Sequence, residues 1–202
     1  PFSDCHIINS NFFHIRIQKR FWPTDNTDIN RIFPGYDLGE TTPRIADGVF
    51  REISKYQFGI QFTSFYMPGN FVPHIRLMDE GYSKIETAMQ FGLPYVVKRK
   101  VRPYDTATLN YNWQVWNTEA FSLYTTATEQ IDPNGAGQAV LAVMNFLSAQ
   151  SIIRYQVPVL TESKVITDTE LVSVRTSESG VFEPLVKAGE EVRVGQPLAN
   201  II

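Results

Sequence analysis

The sequence predicts an α/β protein, a sheet with helices packed on it, followed by a β-rich C-terminal appendage. Three observations predict it. Segments of strand character alternate with segments of helical apolar period along residues 1–152. The longest helical pattern, "DPNGAGQAVLAVMNFLSAQ", closes that region. Over 153–202 the helical period stops, and short Val-rich pieces punctuated by Gly180, Gly189 and Gly195 replace it.

In chain order, "CHIIN" (Cys5 to Asn9) reads as a short strand. "GETTPRIADGVFREISKY" reads as a helix: Thr42 can N-cap, Pro43 takes the first helical position, and Ile45, Val49, Phe50 and Ile53 make one stripe. "YQFGIQFTSFYM" is aromatic and β-prone. In "YSKIETAMQFGLP", Ser83 and Glu86 have capping-box spacing and Gly92 stops the helix. "PYVVKRK" and "EAFSLYTT" are strands. The last helix starts at Asp132-Pro133 and puts Val140, Val143, Met144 and Leu147 on one face.

The 202 residues are 43% hydrophobic and 13% aromatic, enough for a sizeable core. A net charge of −3 gives no bulk electrostatic case for nucleic acid or an anionic membrane. No apolar run approaches the roughly 20 residues of a membrane span, and no signal peptide is visible. A soluble cytoplasmic protein is the expectation. Cys5 is the single cysteine, which excludes an internal disulfide framework and a Cys-based zinc site.

The segment "RFWPTDNTDINRIFPGY" brings Arg20, Asn30 and Arg31 close together among turn-formers. By residue type alone two readings stand. The cations belong to a solvated loop and pair with Asp25 and Asp28, or they converge on a carboxylate through paired guanidinium hydrogen bonds.

"NFFHIRIQKRFWPTDNTDINRIFPG" resembles the Asn-Pro, Arg and Asn-Arg-x-Phe-Pro-Gly segment of the succinylglutamate desuccinylase/aspartoacylase family, relatives of the zinc carboxypeptidases. Asn11 falls on the Asn of its Asn-Pro, Arg20 on its Arg, and Asn30-Arg31 on its Asn-Arg. "ETTPRIADGVFREI", "FVPHIRL", "AVLAVMNFLSAQ" and "GVFEPLVKAGEEVRVGQPLANI" continue the order. The resemblance implies a zinc-carboxypeptidase-like mixed sheet with flanking helices over 1–152 and a barrel-sandwich-like appendage over 153–202. It implies a zinc-dependent hydrolase that cleaves the amide bond of a small N-acyl amino acid. Arg20 would polarise the scissile carbonyl, Asn30 and Arg31 would clamp a substrate carboxylate, and Arg76 would assist.

The chain departs from the family pattern in three places. No His-x-x-Glu occurs in it; in the family that pair lies upstream of the Asn-Pro segment, so it would precede residue 1 or be lost. The position of the later zinc His falls on Phe62 or Thr63, with Thr63 preferred because Ile60 and Phe62 then keep their alternation. The best match to the catalytic Glu is Tyr124, whose phenol is a weak base at neutral pH. Glu119, five residues away, points to the other face of a regular strand. These departures leave no metal-ligand set in the sequence. They support an alternative, a non-catalytic relative that binds a carboxylate-bearing metabolite or partner and hydrolyses nothing.

His6, His14 and His74 show no metal-ligand spacing. Arg76, after the Pro68-Gly69 turn, is either a further cation for the carboxylate or a surface salt-bridge partner. The aromatics of "FTSFYMPGNF" line a pocket or pack in the core, and Trp113 and Trp116 form a lid or bury against the appendage. Lys187 lacks the setting of a modified carrier lysine. The terminal "LANII" leaves an edge that a further segment or another chain would cover, and self-association is among the expectations.

Overall fold

The computed structural model describes residues 21–65, 67–128, 130–156 and 162–202. Arg20, Asn11, Cys5, His6, His14 and the strand expected at Cys5 to Asn9 lie outside the described residues.

Five strands form the main sheet: β1 (Phe58–Thr63), β2 (His74–Met78), β3 (Tyr95–Arg99), β4 (Glu119–Tyr124) and β5 (Lys164–Thr167). Their spatial order is β1-β4-β2-β3-β5. All neighbours are parallel except β2 and β4, which run antiparallel. The sheet is therefore mixed, as expected. β5 comes from the stretch read as appendage, yet it pairs with β3 at the edge of the main sheet.

Both faces of the sheet carry helices. Against one face pack α2 (Ile85–Met89) and α4 (Pro133–Ala149), enclosing Ile75, Leu77, Val96, Phe121, Leu123 and Phe146. Phe146 is the centre of this core: it stacks on Phe91 at 4.5 Å and meets Phe58 edge-on at 5.3 Å. On the other face lie α1 (Thr41–Ile53) and α3 (Leu109–Val115), with Phe33, Phe50, Ile53, Trp113 and Ala120 in a second core. Gly59 makes that second contact possible, since a Cβ there would fall 2.8 Å from the Trp113 ring.

Several local readings change in three dimensions. Helix α1 is N-capped at Glu40 without a side-chain bond. Thr42 is held from a distance instead: its N–H and hydroxyl donate to the two carboxylate oxygens of Asp25 at 2.8 and 2.7 Å. Ser83 caps no helix; its hydroxyl bonds both the N–H and the carbonyl of Ala120 at 2.8 Å, tying α2 to β4. In α4 the buried side chains are Ala139, Ala142, Asn145 and Phe146, whereas Val140 is 61% exposed. Small residues face the sheet because they let the helix approach it closely. Trp113 is buried in the second core, and Trp116, 58% exposed, meets Phe50 edge-on at 5.7 Å.

Beyond β5 the described chain forms one antiparallel pair, β6 (Phe182–Pro184) with β7 (Ala199–Ile201). Lys187 sits in a tight turn: its carbonyl accepts the Glu190 N–H at 3.1 Å and its N–H donates to the Glu190 carboxylate at 3.0 Å. No helix among the described residues is long and apolar enough to cross a membrane.

Candidate functional site

The pairing register builds the site. Residues paired across a sheet project on the same face. Thr63, Tyr124, His74 and Tyr95 therefore form one row, and Gln61, Ser122, Arg76 and Val97 the next. This is the face of Ala120 and α3. The other face of the same strands carries Phe121, Leu123 and Ile75. Alternation along β4 thus separates an apolar core from a polar row at the carboxyl ends of β1 and β4.

Arg76 and Tyr124 are the centre of this row. Arg76 Nη1 donates to the Tyr124 phenol oxygen at 2.7 Å. Its guanidinium carbon lies 4.2 Å from the Tyr124 ring centre and 5.7 Å from that of Phe65. Burial, the largest influence, pushes the Arg76 pKa below its ordinary value, with Tyr124 opposing that shift and Arg99 adding to it. Arg76 Nε is buried without a hydrogen-bond partner among the described residues.

His74 stacks on the same tyrosine. Its ring lies parallel to the Tyr124 ring, 4.8 Å between centres and 3° between planes. Its Nδ1 is 2.9 Å from the Val72 carbonyl. A carbonyl only accepts, so Nδ1 carries the proton and Nε2 keeps its lone pair. Burial pushes the His74 pKa down to about 4; the Val72 carbonyl resists and Arg76 adds to the fall. At neutral pH the imidazole is uncharged. Phe65 and Phe71, stacked at 4.0 Å, complete an aromatic wall.

Thr63 and Phe62 separate here. Thr63 lies beside Tyr124 on the site face, with its hydroxyl 3.3 Å from the Leu123 carbonyl and 3.4 Å from that of Gln61. Phe62 projects from the opposite face and is 61% exposed. Glu119 is also on the opposite face, where its carboxylate accepts the Lys84 N–H at 3.0 Å.

Asn30 meets the Arg76 row through Gln61, and Arg31 turns to Tyr104. They form a 3-10 turn, Ile29–Arg31, capped by Asp28, whose carboxylate accepts the Asn30 N–H at 3.0 Å. The Asn30 amide oxygen accepts from Leu109 N–H at 3.1 Å and Gln61 Nε2 at 3.3 Å. It ties this turn to α3 and β1. Arg31 Nη1 donates to the Tyr104 carbonyl at 3.1 Å and lies 4.0 Å from Asp105.

Zinc was expected from the family resemblance. Among the described residues no group of three or more His, Cys, Asp and Glu side chains converges. Thr63 and Tyr124 occupy the positions matched to the zinc His and the base, and neither offers the imidazole or carboxylate that zinc chemistry uses. The described residues do not fit a zinc centre.

Sequence reading missed His74 as a partner of Tyr124. The signal was there: His74 and Arg76 alternate on one strand, so they share a face.

The similar solved structures include succinylglutamate desuccinylase/aspartoacylase family proteins, and the chain shares their fold. A succinylglutamate desuccinylase from a Silicibacter species superposes with a TM-score of 0.78 at 19% identity, over 95% of this chain and 60% of that one. The product-bound ectoine utilization protein of Ruegeria pomeroyi gives 0.75 at 21% identity, over 95% and 60%. The succinylglutamate desuccinylase/aspartoacylase of Rhodobacter sphaeroides gives 0.74 at 19% identity, over 93% and 59%. The chain thus spans about three-fifths of the length of these structures. No family sequence model and no curated protein sequence matches it.

Proposed function

We propose that this chain is a deacylase-type protein that binds a small carboxylate-bearing N-acyl amino acid at the Arg76–Tyr124 face and leaves its amide bond intact. One observation carries the reading. The position matched to the catalytic base holds a phenol, and that phenol is bonded to a partly desolvated guanidinium. A cation beside aromatic rings suits a carboxylate flanked by an apolar acyl chain. The phenol oxygen is already engaged by the Arg76 guanidinium, and the position offers no carboxylate to act as base. Thr63 likewise gives its hydroxyl to backbone carbonyls. A cytoplasmic setting and a small-molecule partner belong to the same proposal.

A second reading, zinc-dependent hydrolysis of the same class of compound, is favoured by the fold shared with desuccinylases. It requires ligands and a base that the described residues do not supply, and a shared fold alone does not establish an activity. Calorimetric titration with N-succinylglutamate, together with metal analysis and an amine-release assay, separates the two. Saturable binding lost in Arg76→Gln, without amine release, is the expected result. Stoichiometric zinc with amine release would establish the second reading, and no binding at all would sink both.

A further inference from the structure

Away from the Arg76–Tyr124 pair, Tyr104 gathers cations. Its phenol oxygen accepts from Arg102 Nη1 at 2.7 Å and from Arg99 Nη2 at 2.9 Å. Its carbonyl accepts from Arg31 Nη1, and the Arg31 guanidinium carbon lies 5.4 Å from its ring centre. We propose that Arg31, Arg99 and Arg102 form an anion site around Tyr104 that takes a small oxyanion, a carboxylate or phosphate group.

Charge balance is the first argument. Among the described residues the carboxylates nearest these cations are Asp168, 3.8 Å from Arg99, and Asp105, 4.0 Å from Arg31. Both lie at the outer limit of an ion pair, and Asp105 also accepts the Arg102 backbone N–H at 3.0 Å. Among the described residues three guanidinium groups thus face two loosely placed carboxylates, so positive charge is in excess there. Drawing Arg99 and Arg102 to one phenol oxygen costs repulsion that an anion between them would remove.

Donor geometry is the second. A phenol oxygen that accepts two guanidinium N–H groups still has its own O–H to donate. Planar guanidinium forks match the paired oxygens of carboxylate and phosphate. Tyr104 is 48% exposed, which leaves the cluster open to a ligand. Tyr104 comes from the 3-10 turn Pro103–Asp105, which packs beside the Asn30-Arg31 turn through the Arg31 contacts. This inference stands on that cluster and not on N-acyl amino acid binding at Arg76.

The test is calorimetric titration of the full chain with inorganic phosphate and, separately, with succinate, against chloride at matched low ionic strength. Saturable binding of either oxyanion is expected, and the two arms tell which group the site takes. Arg102→Gln and Arg99→Gln should each weaken it by about tenfold or more, the worth of one charge-assisted bond. Tyr104→Phe should weaken it by roughly threefold through the lost hydroxyl. Arg102 is exposed, so its replacement keeps the fold, which circular dichroism checks. Unchanged affinity in Arg102→Gln, weakening in Arg76→Gln alone, or no binding beyond chloride would each overturn the proposal. Phosphate has no acyl group or carboxylate, so the phosphate arm is independent of the N-succinylglutamate result.

Discussion

Arg76 and Tyr124 hold each other across neighbouring antiparallel strands, guanidinium to phenol oxygen at 2.7 Å, with the guanidinium also over the ring. Each keeps the other from remaining buried and unpaired. Tyr124→Phe should therefore lower stability by about 2 kcal/mol, because a partly desolvated cation loses its hydrogen-bond acceptor. Urea unfolding of the two proteins measures the difference. A neutral result would show that water replaces the phenol at no cost.

His74 makes stability depend on pH. Its folded pKa, about 4, lies below the ordinary 6.5. The unfolded chain then binds more protons between these values, so stability is full above pH 6.5 and falls as the pH drops towards 4. The span corresponds to roughly 3 kcal/mol. His74→Phe should flatten that slope in a series of denaturant titrations. An equal slope in both proteins would assign the acid sensitivity to other groups.

Asn30 is a structural tie in this fold, since its amide oxygen accepts from Leu109 and Gln61. Asn30→Ala should cost about 1–2 kcal/mol in the absence of any ligand. If Asn30 served only to clamp a ligand, the unliganded stability would not change. Thermal unfolding without and with N-succinylglutamate distinguishes these.

Gly35 ends the turn that carries Asn30 and Arg31. Its φ is +80°, and a Cβ there would fall 2.4 Å from the Asp47 nitrogen and the Pro43 carbonyl oxygen. Gly35→Ala should destabilise by more than about 2 kcal/mol, through both the left-handed backbone and the clash with α1. Gly137, in α4, has no atom within 4 Å of its Cβ position and serves as the control: Gly137→Ala should be neutral or stabilising. Equal melting temperatures for Gly35→Ala and the parent would contradict the turn geometry.

The sequence by itself determined the α/β order, because helical and strand periods are local properties of the chain. It placed β1, β3, β4 and the long helix α4, and it put Tyr124 and Glu119 on opposite faces through strand alternation. Capping was less legible. Asp25 holds Thr42 from 17 residues away, and Ser83 bonds a strand 37 residues on; no local pattern encodes such partners. The face that α4 buries also followed the sheet it meets, which selects Ala139 and Ala142 over Val140. At the site, the sequence supplied Arg20, Asn30, Arg31, Arg76 and Tyr124 as separate residues, Arg20 lying outside the described ones. Only the antiparallel pairing of β2 with β4 joined Arg76 and His74 to Tyr124. Only the packing of two distant turns brought Arg31 to Tyr104. Residue type and period fix what a segment can present; register and packing fix what it meets, because those contacts are made by residues far apart in the chain.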